Sequence, residues 1–296
     1  MIIHDLEKQG HIHPPKFLAD NTHLIVVSGS MAYGVGDPKT SDSDCYGFCL
    51  PPKDVVFPHT AGYIAGFGTQ PPAMEVWTEH GKIDDRTGKE YDFSIYNIVK
   101  YFDLLLGNNP NMVDSLFVPE RCVIHATKIG QRVRESRHMF LHKGSYHRFK
   151  GYAYAQLKKL RGKQQSDNPK RQATIDAHGF DTKHAYHIVR LALECEEILE
   201  TGDLHLDQNA VVLAAIRNGE WTLERLEQWF QDKEISLEKA YSNSTLRAKA
   251  DEEAIKTLLI ECLEMHYGSL GEAALVKQSD TDKLIREIRS VLDRHG

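Results

Sequence analysis

Apolar and polar positions change rhythm part-way along the chain. Residues 24–28, Leu-Ile-Val-Val-Ser, form a short β-branched run bounded by polar residues, the pattern of a buried strand. Gly29-Ser30 ends it, Met31-Ala32-Tyr33 reads as one helical turn, and the loop 35–41 carries the turn formers Gly36, Asp37 and Pro38. A second strand is expected over roughly 42–50, closed by Pro51-Pro52, and residues 53–72, rich in Gly and Pro, read as an irregular excursion. Strands are expected over 73–79 and 89–93 around a turn at 84–88. Ser94 then reads as the N-cap of a helix with Ile95, Ile98, Phe102 and Leu105 on one face and Gly107 at its end. Asn108-Asn109-Pro110-Asn111 turns into another short helix. From about residue 126 the period is helical, broken by an expected loop over 163–174, and an amphipathic stretch follows residue 222 that suits either an internal core or a contact between copies. The pattern predicts an α+β chain, with a mixed-sheet domain over 1–125 and a helical domain over 126–296.

Composition narrows the class. With 41% hydrophobic and 26% charged residues over 296 positions, the chain has the profile of a globular protein with a real core. No apolar run approaches the roughly 18–20 residues that span a bilayer. The N-terminal residues lack a basic segment followed by an apolar one, so no secretory signal is read. Five irregularly spaced cysteines argue against a disulfide framework, and a cytoplasmic protein with reduced thiols is expected. Cys45 and Cys49 read as strand packing; His11, His13, His138 and His142 read as surface or packing residues, and Gly62, Gly66 and Gly68 make no dinucleotide fingerprint.

The net charge of −6 conceals an uneven distribution. Segment 128–171 holds 13 Lys/Arg against two acids, Glu135 and Asp167, so it carries about +11 and the remainder about −17. Phe140, Tyr146, Phe149, Tyr152 and Tyr154 are interleaved with those cations. Basic residues with aromatics suit a polyanion whose phosphates are neutralised and whose bases stack; a solvated basic helix face with core tyrosines is the plainer alternative.

The chemistry concentrates in Gly29-Ser30, eleven intervening residues, and Asp42-Ser43-Asp44. Carboxylates at i and i+2 on a strand share a face, close enough to share divalent cations. Such like charges repel unless a cation neutralises them, and hard oxygen ligands favour Mg²⁺ or Mn²⁺. Two such ions can activate an attacking hydroxyl and stabilise departing pyrophosphate. Gly29 permits close backbone approach to a phosphate, and Ser30 offers a hydroxyl and a helix N-terminus to a triphosphate. On the later helix, Lys183, His187, Arg190 and Glu194 form one polar stripe, with Ile188, Leu191, Cys195 and Ile198 on the adjoining core face. The stripe suits phosphate contacts from Lys183, His187 and Arg190, or an exposed face with an Arg190–Glu194 pair.

Gly29-Ser30-Met31-Ala32-Tyr33-Gly34 followed by Ser41-Asp42-Ser43-Asp44-Cys45-Tyr46-Gly47 resembles the signature of the DNA polymerase β superfamily of nucleotidyltransferases. More narrowly, it resembles the predicted nucleotidyltransferases associated with an RNA repair pathway ligase. Gly107-Asn108-Asn109-Pro110-Asn111, Asp114-Ser115-Leu116-Phe117-Val118-Pro119 and the helical 181–191 extend the likeness over roughly 24–215. The resemblance implies a polymerase β-like catalytic domain that moves an NMP from an NTP to an acceptor hydroxyl. It implies metal binding by Asp42, Asp44 and a third carboxylate on a neighbouring strand. Asp92 fits that place, with Glu90 and Glu75 as alternatives, and an extra helix N-terminal charge as its plainer reading. Asp114 departs from the glutamate expected of the family and is given a structural role. The acceptor implied is RNA, contacted through the basic segment including Lys158, Lys159 and Arg161. Modification of a protein or small molecule, or a silent nucleotide- or RNA-binding module, stay open as alternatives.

Overall fold

The computed structural model describes residues 1–37, 41–64, 66–70, 73–162, 165–274 and 288. Pro38 of the expected loop lies outside them, as does the chain after 274 apart from Ile288. The chain is α+β. After α1 (Ile2–Lys8), β1 (Thr22–Val27) is buried along its whole length, as its apolar run predicts. β2 (Ser43–Cys49) returns antiparallel to it. The excursion that follows holds a helical turn, α2 (Lys53–Val56), and a 3-10 turn over Pro58–Ala61, before the hairpin of β3 (Val76–Ile83) and β4 (Glu90–Asn97). β4 runs antiparallel to β3 and parallel to β2. A fifth strand, β5 (Val123–Ala126), pairs antiparallel with the far edge of β1. The mixed sheet thus has the order β3-β4-β2-β1-β5.

β3 is shifted to Val76–Ile83 from the expected 73–79, and β5 is not among the expected strands; two further boundaries differ. β4 runs on to Asn97, so Ser94 is a strand residue and Asn97 is the cap: its side chain accepts the Lys100 N–H at 2.7 Å. Ser94 is held extended by register partners on both sides, Tyr46 of β2 and Thr78 of β3. Two ladders outweigh the local capping preference of one serine. The second difference lies in the expected loop over 163–174, where α7 (Pro169–His178) already begins. Asn168 accepts the Arg171 N–H at 3.3 Å, and Pro169 sits in the first turn, where a missing N–H costs nothing. These residues start a helix rather than break one.

α3 (Ile98–Leu106) and α4 (Pro110–Phe117) cover the β2 and β4 side of the sheet, and α5 (Lys128–Glu135) packs on β1. The long α6 (Ser145–Gly162) and α8 (Thr182–Thr201) pair lengthwise, flanked by α9 (Ala210–Arg217) and α10 (Leu223–Asn243). α11 (Glu252–Tyr267), followed by the single turn α12 (Leu270–Ala273), folds back onto α3 and α5. One cluster of buried side chains runs from Ile3 through Phe48, Phe149 and Ile188 to Leu263. The amphipathic pattern after 222 therefore serves the internal core: Leu226, Phe230, Leu237, Ile255, Leu258 and Cys262 all belong to it. The division at 125/126 falls inside β5. All five cysteines are free and buried. No helix among the described residues is long and apolar enough to cross a membrane.

Candidate active site

β1 ends at Val27, and the chain passes through Ser28 into a three-residue 3-10 turn, Gly29–Met31. Gly29 has φ +66°, and a Cβ built on it would stand 2.3 Å from Oδ2 of Asp44. Only glycine lets the backbone cross that carboxylate in this conformation. The Ser28 N–H donates to the Asp44 carbonyl at 2.8 Å and fixes the crossing. The expected helix N-terminus at Ser30 is not formed, because one 3-10 turn aligns too few peptide dipoles. The Ser30 carbonyl instead accepts the N–H groups of Val35 and Gly36, at 3.0 and 2.9 Å, and closes the loop.

Asp42 lies just before β2 and Asp44 within it, and both line a cavity of about 320 Å³ with Gly29, Ser30 and Tyr46. Asp92 is the register partner of Asp44 on the parallel neighbour β4. Its side chain leans toward β3, where Oδ1 accepts the Gly81 N–H at 2.7 Å and lies 3.6 Å from His80 Nδ1. β3 bulges there, between Glu79 and Lys82, with Gly81 at φ +63°. Asp92 stands beside the cavity rather than on its wall. Glu90 is opposite Ile83, before the first β2 partner of β4, Tyr91. Glu75 precedes β3, and its carbonyl accepts the N–H of Asn97 at the other end of β4. Of the three carboxylates considered for the neighbouring strand, Asp92 alone is level with Asp44. Burial raises the Asp44 carboxyl above its ordinary value, Asp42 and Asp92 push the same way, and Lys183 opposes them. The cluster is short of positive charge.

The facing wall comes from α8, where Asp181 caps the first turn by accepting the Lys183 N–H at 2.8 Å. Lys183, His187 and Arg190 all line the cavity, but they are not equivalent. Lys183 is exposed and pairs with no carboxylate among the described residues. His187 is held well below its ordinary value by burial and by Arg190 and Lys183, so it enters the site as a neutral imidazole. Arg190 is 5% exposed and already engaged: one guanidinium nitrogen reaches Asp114 Oδ2 at 2.5 Å and both Glu194 oxygens at 3.0 and 2.9 Å. Its plane also lies over the Tyr33 ring, 4.6 Å from the centroid, while the Tyr33 hydroxyl donates to Asp114 at 2.6 Å. Burial raises both carboxyls of this cluster, with Arg190 opposing. Arg190 thus carries the Arg190–Glu194 pair that the helical spacing allows, and Asp114 has a structural partner.

The cavity also takes Tyr152, one of the aromatics interleaved with the basic segment, and Asn111, Gln156, Tyr186 and Arg217, which the sequence does not pick out as site residues. Arg217, at the end of α9, adds a second cation without a carboxylate partner among the described residues, over the Tyr186 ring at 5.5 Å. Its only sequence signal is a charge at a helix terminus, which is common. Gln156 is oriented from behind. Arg171 donates to His184 Nε2 at 3.2 Å, so His184 Nδ1 carries the proton and donates to Gln156 Oε1 at 2.7 Å. That leaves the Gln156 amide nitrogen as the donor end.

Five of the 13 Lys/Arg in the basic segment 128–171 are paired with carboxylates among the described residues. Arg132 pairs with Glu261, Arg134 with Glu120, Lys150 with Glu234, Arg161 with Glu227 and Arg171 with Asp181. Several of its charges join helices rather than face solvent.

Two carboxylates opposite two cations fit a divalent cation bridged to an anionic ligand. Among the described residues no three His, Cys, Asp or Glu side chains form a metal-holding group. The oxygen donors Asp42 and Asp44 match a Mg²⁺-type site completed by phosphate oxygens and water, in which the protein supplies only one or two ligands.

No curated protein matches this chain. The crystal structure of a nucleotidyltransferase-like protein from Exiguobacterium sibiricum 255-15 is similar at 12% identity and a TM-score of 0.28, covering 99% of this chain and 90% of that one. A family model matches residues 6–274, spanning the sheet, the Gly29-to-Asp44 motif and both walls of the cavity. The chain belongs to the RNA repair pathway DNA polymerase beta family.

Proposed function

We propose that the protein is a metal-dependent nucleotidyltransferase that moves an NMP from an NTP to an acceptor hydroxyl on RNA. The observation that carries this reading is the single cavity wall on which Asp42 and Asp44 stand under Gly29, facing Lys183 and Arg217. Carboxylates on one side and cations without a described carboxylate partner on the other suit a nucleotide tail whose phosphates bridge a divalent ion and basic side chains.

The acceptor oxygen attacks the α-phosphorus, the bond from that phosphorus to the bridging oxygen of the β-phosphate breaks, and pyrophosphate leaves. Asp42 and Asp44 would hold Mg²⁺ or Mn²⁺, which lowers the pKa of the acceptor hydroxyl and offsets charge on the phosphates. Asp92, level with Asp44 on β4, would take the hydroxyl proton. Lys183 and Arg217 neutralise the departing pyrophosphate, and Ser30 and the backbone at Gly29 hold the triphosphate. Neutral His187 contributes a hydrogen bond rather than a charge. Most of the rate enhancement is positioning and charge stabilisation.

The RNA acceptor rests on the family description and on the cations of α6 that have no carboxylate partner among the described residues. The test is transfer of label from each of the four α-labelled NTPs to cellular RNA and protein, with Mg²⁺ or Mn²⁺, beside an Asp42→Asn/Asp44→Asn variant. Label on RNA with the wild type alone is expected. Label on protein alone moves the reading to protein modification, and NTP binding without any transfer would sink catalysis.

A further inference from the structure

Beside the candidate active site lies a second, wider cavity of about 600 Å³. Its walls include Asn109, Arg148, Tyr152 and Lys249, together with the acids Asp103 and Glu252. Tyr152 lines both this cavity and the one that holds Asp42 and Asp44. The two spaces therefore meet at one aromatic side chain.

The sequence of α6 explains the continuity. Arg148, Tyr152 and Gln156 recur every four residues and so lie on one face of the helix. Arg148 faces the wider cavity, Tyr152 both, and Gln156 the candidate active site. The stripe is about 12 Å long at the rise of an α-helix. Phe149, Ala153, Leu157 and Leu160 bury the adjoining side of the helix and fix the rotation of the stripe. The Tyr152 ring is held in place by its hydroxyl, which accepts from Asn109 Nδ2 at 3.0 Å.

Within the basic segment Arg132, Arg134, Lys150, Arg161 and Arg171 are each paired with a carboxylate. Arg148 uses Nε to donate to the Gly107 carbonyl at 3.0 Å, and neither it nor Lys249 pairs with a carboxylate among the described residues. Of the two acids that line the groove, Asp103 is taken by Lys100 at 3.1 Å.

We propose that this groove receives the acceptor as a single-stranded polynucleotide. Its phosphates meet Arg148 and Lys249, a base stacks on Tyr152, and its terminal hydroxyl enters the cavity of Asp42 and Asp44. Cations tracking a backbone beside an aromatic platform are what sequence-tolerant strand binding requires. This assignment rests on the nucleotidyl-transfer reading for its direction, but strand binding is measurable without transfer.

The experiment is fluorescence anisotropy with a labelled 12-nucleotide single-stranded RNA, in EDTA, from 50 to 200 mM KCl, alongside incorporation from α-labelled NTPs into the same strand. Arg148→Ala/Lys249→Ala is expected to weaken binding about tenfold and to reduce the salt slope by about 1.4, at roughly 0.7 per phosphate contact. Tyr152→Leu is expected to lose about fivefold or more, while Tyr152→Phe keeps the stacking face and binds nearly as wild type. Lys239→Ala, an exposed cation on α10, is the comparator and should bind unchanged. Wild-type affinity in both the double variant and Tyr152→Leu overturns the groove, as does failure of the wild type to bind the strand. Binding that follows this pattern without any incorporation supports the groove and sinks nucleotidyl transfer. Incorporation at wild-type kcat/KM by Arg148→Ala/Lys249→Ala overturns the groove and leaves transfer standing.

Discussion

Gly29 and Asp44 touch across the end of the sheet: the position a Cβ would occupy on Gly29 is 2.3 Å from Oδ2 of Asp44. The motif glycine and the motif aspartate are thus one structural feature, since the carboxylate fills the space that a side chain would need. Ala at 29 must also adopt φ +66°, where an L-residue is strained by about 1–2 kcal/mol. Gly29→Ala should keep the fold by circular dichroism yet lose at least about 100-fold in kcat/KM for transfer, because small displacements of a reacting group cost that much. Near wild-type transfer by this variant would separate Gly29 from the chemistry.

Asp44 is destabilised by the same surroundings that suit it to a cation. Burial and the neighbouring Asp42 and Asp92 raise its carboxyl. Asp44→Asn removes a repelling charge, so in EDTA the variant should melt higher than the wild type, by about 2–4 °C for each kcal/mol gained. Mg²⁺ should then raise the melting temperature of the wild type and not that of the variant, which should show no transfer. Differential scanning calorimetry with and without Mg²⁺ decides this, and an unchanged response to Mg²⁺ in Asp44→Asn would place the metal elsewhere.

Lys183 and Arg190 share a helix stripe but should respond differently to truncation. Arg190 neutralises Asp114 and Glu194 inside the protein, and removing one partner of a buried ion pair costs about 3–5 kcal/mol. Arg190→Ala should lower the urea midpoint sharply. Lys183 is exposed and has no carboxylate partner among the described residues, so Lys183→Ala should leave the midpoint within error and raise KM for the NTP about tenfold. A reversed pattern, with Arg190→Ala stable and impaired only in KM, would restore Arg190 as a phosphate contact.

His23 gives a pH dependence of stability. Burial, then His266 and His125, lower its pKa from 6.5 to about 4, and its ring nitrogens contact Thr127 at 2.8 Å and His266 at 3.1 Å. Between those values the unfolded chain binds a proton at His23 that the folded protein excludes. Its contribution to stability is therefore complete above about pH 6.5 and declines as the pH falls toward 4. Urea unfolding at pH 7.5 and 5.0 should show a smaller loss on acidification for His23→Gln than for the wild type. An equal loss in both proteins would assign the proton uptake to other groups.

The sequence alone determined the elements whose signals are local. β1 is legible because a β-branched run buried on both faces has one reading, and the face of α8 that packs in the core follows from a 3.6-residue period. The pair Asp42 and Asp44 is legible because strand alternation puts i and i+2 together whatever the rest of the chain does. Tertiary structure decided what depends on neighbours distant in sequence. Ser94 stays extended because β2 and β3 flank it, and Asp92 becomes the level partner of Asp44 through a parallel pairing that no local pattern encodes. Lys183 and Arg190 look alike on a helical wheel. They differ in role because α4 brings Asp114 under Arg190 and no described carboxylate reaches Lys183. The net charge of segment 128–171 was countable, but which of its cations remain available was not, since the partners of those that are paired lie 10 to 129 residues away. Charge is a property of the residue, whereas its availability is set by the contacts the fold imposes.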